Sequence, residues 1–376
     1  MARNRVIYQS EALYVSENAA QIASGKHKQL ERVQSANYNF SISRTDINQY
    51  GQLGRLDSLV LEAPTVAADF SYYLTDGMNE KALRFADSSD FSSNAVGFVS
   101  GHLVEGSGQN LYIIASPEGQ DVNIGTKTSD NYTTIALGNS YVTDYTLDAS
   151  VGSLPTVSVS MEALNIRSDA QVSGSDAGFS GISSPAIQQS DGSEFTASLV
   201  TLGAPSTGDG TITALRPGDI VLDFGTASTS GTKGPIASIA GDADGSHVQS
   251  VSLSIPMSRS PLERLGSRFP FARTADFPVT ASLSVSAIVN EITAANLREI
   301  IDDEVGSNIT ITFNDTSSTA KAKYQLKNAK LDSESFSSSI GSNKTVDLTF
   351  SVAIGGPSDG VNNVFFSGAN SSPAFT

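Results

Sequence analysis

Residues 32–44 read RVQSANYNFSISR, and residues 247–259 read HVQSVSLSIPMSR. Five of the thirteen positions are identical, where chance gives about one. The apolar columns agree better than the identities. Ala36 aligns with Val251, Tyr38 with Leu253, Phe40 with Ile255 and Ile42 with Met257, all at an offset of 215, with polar residues between them. Period two predicts a strand with one buried face. The two stretches therefore read as one strand, present twice.

The match extends outward from that strand. Leu59, Leu61, Val66, Ala68 and Phe70 surround Pro64 in copy one. In copy two, Val279, Ala281, Leu283, Val285 and Ala287 follow Pro278 and alternate with Thr280, Ser282, Ser284 and Ser286. Each copy then carries one helix signal, over 79–86 (Ala82, Leu83, Phe85) and over 293–303 (Leu297, Ile300, Ile301). The last third matches at an offset of 189. Leu137, Asn139, Val142 and Leu147 face Leu326, Asn328, Leu331 and Phe336, and the strand Val157, Val159, Met161, Ala163 faces Val346, Leu348, Phe350, Val352. The offset falls because copy one has longer loops, between 87 and 110 and between 116 and 133. Loops tolerate insertion where cores do not.

The reading is a mainly β chain of two tandem β-sandwich modules, 1–166 and 215–354, each with one flanking α-helix. Residues 167–214 form a Ser/Gly-rich acidic connector. Its 168–215 stretch holds no Lys or Arg and five acids (Asp169, Asp176, Asp191, Glu194, Asp209). A flexible surface segment is its first reading, although 194–202 has the pattern of a strand. Residues 355–376 are expected to be a C-terminal arm.

Composition removes most chemistry. Of the 376 residues only 16% are charged, against roughly 25% in an average soluble protein. No apolar run approaches the roughly 18 residues of a spanning helix. The first residues lack the apolar segment of a signal peptide, so assembly in a cytoplasm is the expectation. With no cysteine and no tryptophan, disulfides, thiolate metal sites and cysteine nucleophiles are excluded. The net charge of -16 opposes a duplex-binding face, which is normally basic.

Candidate motifs fail on inspection. Gly178-Phe179-Ser180-Gly181 is one residue short of a nucleophile elbow and lies in the connector. Gly241-Asp242-Ala243-Asp244-Gly245 lacks the further ligands of a calcium loop and reads as a polar turn. Asp302-Asp303-Glu304 ends the second helix signal with no partner motif. The three histidines (His27, His102, His247) are scattered, and His247 stands where copy one has Arg32. Five N-glycosylation sequons follow from a Ser/Thr-rich composition. The expectation is a protein that is not an enzyme and holds no cofactor or metal.

The informative stretches follow the first matched strand. Residues 45–57 carry Ile47, Tyr50, Leu53, Arg55 and Leu56; residues 260–273 carry Leu262, Leu265, Arg268, Phe269 and Phe271. Both are long for hairpin connections. Large apolar residues mixed with Arg are the composition of protein–protein contacts, so these ten residues are the candidate contact site. The alternative is an ordinary hairpin that folds back on its own module.

At this point the chain resembles the tail tube (major tail) proteins of long-tailed bacteriophages, of the type with two fused modules. The resemblance is carried by Gln34 to Arg44, the 45–57 loop, Leu59-Val60-Leu61-Glu62-Ala63-Pro64-Thr65-Val66, then Asp69 to Leu74, the helix with Asn79-Glu80, and the opening Arg5-Val6-Ile7-Tyr8. It implies β-sandwiches whose inner sheets join into a barrel. Three chains would make a ring of pseudo-six-fold symmetry. Rings would stack through the long loops into a tube in the virion tail. The partners so implied are the chain itself and other tail proteins at the tube ends. The tape measure protein and DNA would pass through an acidic lumen without tight binding; no membrane is involved. A secreted tandem β-sandwich adhesin or surface-layer protein, and a baseplate or terminator ring protein of the same fold, remain as alternatives.

Overall fold

The computed structural model describes residues 11–22, 26–88, 96–103, 108–116, 121–122, 132–175, 177–189, 193–195, 198–204, 215–216, 220–223, 246–266, 269–289, 306–337, 343, 345–356 and 359–369. Copy one contains β1 (Glu11–Glu17), β2 (His27–Gln29), β3 (Val33–Ser41), β4 (Thr45–Ile47), β5 (Asp57–Leu59), β6 (Thr65–Tyr73), α1 (Met78–Ala82), α2 (Ser100–Leu103), β7 (Gln109–Ala115), β8 (Tyr132–Ser150) and β9 (Thr156–Ala163). Then come β10 (Asn165–Ser175), β11 (Gly178–Ser183) and β12 (Leu199–Gly203). Copy two contains β13 (Ile220–Asp223), β14 (Ser246–Pro256), β15 (Arg259–Leu262), β16 (Ala272–Ala275), β17 (Val279–Val289), β18 (Ser307–Asn314), β19 (Ala320–Ser337), β20 (Thr345–Ile354) and β21 (Asn363–Gly368). The protein is mainly β, and its ladders are antiparallel.

One continuous inner sheet runs through both copies in the order β3–β6–β9–β8–β14–β17–β20–β19. Four strands of copy one are followed by their four counterparts. The join is the β8–β14 ladder, with Leu147 opposite Leu253 and Tyr145 opposite Ile255. Outer sheets β2–β1–β7–β8–β10 and β13–β18–β19–β21 cover one face. The long strands β8 and β19 belong to both layers, the N-terminal half outside and the C-terminal half inside.

The duplication holds down to irregularities of the backbone. Asn139 and Asn328, 189 residues apart, both take φ near the left-handed region (54° and 57°), a conformation Asn tolerates better than most residues. Both stand where the long strand changes layer, beside a ladder irregularity. Register shifts between Val33 and Ser35 and between Val142 and Asp144 recur between Val248 and Ser250 and between Leu331 and Ser333. A bulge bends a strand and strengthens its twist, so matching bulges give the two modules the same curvature.

Three sequence expectations change. The 79–86 helix is one short turn, Met78–Ala82, ended by Arg84 at φ 68°; copy one adds a second turn, α2, in a stretch read as loop. The 293–303 helix lies outside the described residues. Within the 167–214 connector, β10, β11 and β12 form an extra layer. Phe179, Ile182, Val200 and Leu202 are buried there with Tyr14, Tyr112 and Tyr132. Serine and glycine hid it, because the layer is thin and needs few large side chains. The 355–376 arm contains β21, whose Val364, Phe365 and Phe366 are fully buried.

The copies are also fastened outside the ladder. Phe98 N–H donates to Val364 O (2.7 Å) and Ser88 N–H to Phe366 O (2.8 Å), which ties these two residues of copy one to β21. Beneath it lies a buried polar relay. Glu80 Oε1 accepts from the Tyr72 hydroxyl (2.9 Å) and the Tyr145 hydroxyl (3.3 Å). The Tyr145 and Tyr324 hydroxyls are 2.7 Å apart, which carries the chain from copy one to copy two. Phe98 packs edge-on against both Tyr145 and Tyr324. Burial pushes the Glu80 carboxyl up to about 7, against the pull of the donated hydroxyls.

Glu80→Ala takes away the acceptor that two buried hydroxyls share. Unfolding free energy from urea titration should fall by about 2–4 kcal/mol. The sign of the pH effect follows from the raised carboxyl: the unfolded chain ionises near 4.5 while the folded one still holds its proton. Wild-type stability relative to Glu80→Gln should therefore decline as pH rises from about 4.5 to about 7.

Candidate assembly interface

The two candidate loops are β-hairpins with one construction. In the first, Thr45 pairs with Leu59 and Ile47 with Asp57, and Leu56 N–H donates to Ile47 O (2.8 Å). In the second, Ser260 pairs with Thr274 and Leu262 with Ala272, and Phe271 N–H donates to Leu262 O (2.9 Å). All these positions correspond at an offset of 215. So do the tip glycines, Gly51 and Gly266, both at φ 87° with nothing near a would-be Cβ. Each tip needs a left-handed residue, which glycine supplies without strain.

The tips present apolar side chains to solvent. Tyr50, Leu53 and Leu265 are fully exposed, and Ile47, Leu56 and Leu262 about half so. Arg55 is exposed and bonds Asp46 at 3.0 Å within the first hairpin. Phe269 and Phe271 are half-buried, with the Arg264 guanidinium 5.7 Å from the centre of the Phe271 ring. Arg268 lies outside the described residues. The structure thus brings Ile47, Tyr50, Leu53, Arg55 and Leu56 together on one hairpin, and Leu262, Leu265, Phe269 and Phe271 on its counterpart.

The hairpin bases differ. The second is docked on copy one. Arg259 lies 4.8 Å over the Tyr141 ring and donates to the His102 carbonyl. Arg273, buried, bonds Glu162 at 3.1 Å. His102 is fully buried and held neutral, at about 3, by burial first and then by Arg259 and Arg84. The first hairpin has no such seat among the described residues.

Sequence reading missed the other half of this surface. Tyr38, Phe40 and Ile42 were expected in the core, like their counterparts. Leu253, Ile255 and Met257 are indeed 0% exposed, but Tyr38 is 42%, Phe40 58% and Ile42 42% exposed. The reason is position. β14 has neighbours on both sides, whereas β3, among the described residues, ends the inner sheet and pairs only with β6. At the opposite end, the C-terminal half of β19 pairs, among the described residues, only with β20, and Phe336 is 42% exposed. A long apolar edge strand is a ready template for another chain. The signal was available in the duplication, since a strand that is internal in one copy becomes terminal in the other.

The face of the inner sheet turned away from the core is polar among the described residues. Cross-strand neighbours share a face, and that face carries Asn37, Asn39, Ser158, Ser160, Ser252, Ser254, Ser282 and Ser284, with Asp69, Asp144, Asp148, Glu162 and Asp347. Asp332 accepts from Ser351 Oγ there (2.9 Å). Lys330, opposite Ser351, is the one base among the described residues of these eight strands on that face.

No protein-family profile matches the chain, and no curated protein matches it. Among the solved structures that match is a chain of the baseplate of the anti-feeding prophage, in a 6-fold symmetrised cryo-EM structure. It is 17% identical, with 31% of this chain and 78% of that chain covered and a TM-score of 0.24. Neither the identity nor the TM-score reaches the range in which a shared fold follows.

Replacing both Leu53 and Leu265 by Asp should leave the far-UV spectrum unchanged and the unfolding free energy within about 0.5 kcal/mol of wild type, while abolishing the large stacked assemblies in sedimentation. Loss of folded structure in that variant would place these side chains in a core instead.

Proposed function

We propose that the chain is a structural subunit of a bacteriophage tail tube. Three copies join edge to edge into a ring of six modules, and rings stack on the hairpin tips into a hollow tube for genome delivery. The observation behind this reading is the β8–β14 ladder. Its two strands correspond to β19 and β3, which end the sheet on opposite sides. A second copy can place its β3 against β19 just as β14 lies against β8. This contact joins two different surfaces, so it repeats head to tail and closes into a ring when the rotation allows.

The internal ladder supplies the register. Leu147 opposite Leu253 becomes Phe336 opposite Tyr38 of the next copy; Thr146 opposite Ser254 becomes Ser335 opposite Asn39. Burying each large apolar side chain contributes on the order of 1.5–3 kcal/mol. In such a ring the outer sheets face outward and the polar face lines the lumen. Acids there repel duplex phosphates, and Ser, Thr and Asn offer no cation to hold them. DNA and a tape measure protein would then pass without tight binding. The exposed tips on both modules favour stacked rings over a single terminator or baseplate ring.

The chain has no cysteine of its own, so an introduced pair reports on one contact. Neighbouring cross-strand pairs alternate between wide and close spacing. Tyr38→Cys with Phe336→Cys, and separately Asn39→Cys with Ser335→Cys, therefore test the register whichever pair is the close one. Oxidation should give disulfide-linked dimers and trimers and no larger closed species. If neither variant cross-links under assembly conditions, the edge pairing is wrong.

A further inference from the structure

The open edge of β19 carries an acid in its apolar column. Leu331 lies opposite Phe350, Glu334 opposite Leu348 and Phe336 opposite Val346. Glu334 therefore sits on the core side of the sheet, between two apolar residues, and is half-buried. Desolvation already holds its carboxyl above the ordinary range. The corresponding residue of copy one is Tyr145, at an offset of 189. Its hydroxyl is served by Glu80 and Tyr324.

At the edge the readable partners differ, while the counterpart of Glu80 lies in 293–303, outside the described residues. Tyr72 corresponds to Ala287 and Tyr324 to Ile135, while Ile255, across the ladder from Tyr145, corresponds to Phe40. None of the three can donate a side-chain hydrogen bond. Among the described residues, the core-side positions of β20 and β17 nearest Glu334 are Val346, Leu348, Phe350, Leu283 and Val285, none titratable. On its own strand Asp332 turns to the polar face. The incoming β3 offers the Tyr38 phenol in the same column, with Arg44 beyond the strand end.

We propose that Glu334 is a protonation gate on lateral assembly, an inference that rests on the ring reading above. As a carboxylate it keeps the edge open, because an inward-pointing charge on an edge strand resists pairing and burying it unpaired is costly. Ring closure places it against Phe40 of the next copy, and the carboxylate takes one proton from solvent for each contact formed. The assembled form binds the proton more tightly than the free chain does. Association is therefore strongest below the free chain's pKa and weakens as pH rises, by up to tenfold in the association constant per pH unit. Glu80 is buried within a single chain, before and after closure, and does not contribute to this difference.

Sedimentation velocity of the full chain from pH 5 to 8.5 tests the gate. The concentration for half-assembly of wild type should rise by about tenfold per pH unit over the upper part of that range. Glu334→Gln should assemble at nearly the same concentration throughout, at least tenfold below wild type at pH 8. Phe336→Asp should stay monomeric at every pH. Equal pH dependence in wild type and Glu334→Gln overturns the gate and leaves the ring standing. Assembly of Phe336→Asp at wild-type concentrations overturns the edge pairing itself, and failure of wild type to assemble at any pH overturns both.

Discussion

The ladder between β8 and β14 is the contact on which the rest of the molecule depends. Seven register pairs, Ser250 with Ser150 through Pro256 with Asp144, turn two four-stranded sheets into one of eight. Backbone N–H and C=O groups need partners, and the ladder supplies them along one edge of each module. It also closes the apolar face, because Leu147, Leu253, Tyr145 and Ile255 become fully buried only where the strands meet. What the ladder does inside the chain it leaves undone at the ends. The demand left unmet at β3 and β19 among the described residues is the physical basis for the proposal that this protein is one piece of a larger closed sheet.

The join inside the chain is reinforced in ways that an edge between chains need not copy. Glu80, Tyr145 and Tyr324 form a relay across it, Ser88 and Phe98 bond β21, and Arg273 is fixed to Glu162. These contacts make the two modules one body. At the open edge, the positions that correspond to Tyr145, Tyr72 and Tyr324 hold Glu334, Ala287 and Ile135. In the proposed ring, a permanent junction and a conditional one share a single template and differ in the polar residues rather than in the strand register.

Much of this was legible in the sequence, because a duplication lets each residue be read against its counterpart. The columns Val157 to Ala163 and Val346 to Val352 named two inner strands. Asn139 and Asn328 aligned in the sequence, although their role at the bend of the long strands shows only in the backbone. The two long loops were legible as counterparts at the offset of 215, and the structure adds their matching tip glycines. What was not legible lacked a counterpart or depended on position in the sheet. The β10–β12 layer belongs to copy one alone and is written in small residues. The short helix α1 ends early because Arg84 turns the chain, which periodicity does not reveal. Tyr38 and Phe40 have the pattern of a core strand, and only the strand order shows that their cover must come from elsewhere.

Rotational symmetry decides the central claim that the internal junction is the template for the external one. End-on averages from cryo-electron microscopy, together with native mass spectrometry of a single ring, give both the module count and the chain count. The account predicts six similar lobes repeating with three-fold symmetry and a mass of three chains of 39.2 kDa each. A ring of six chains with twelve lobes, or a symmetric dimer joined through identical edges, would contradict it.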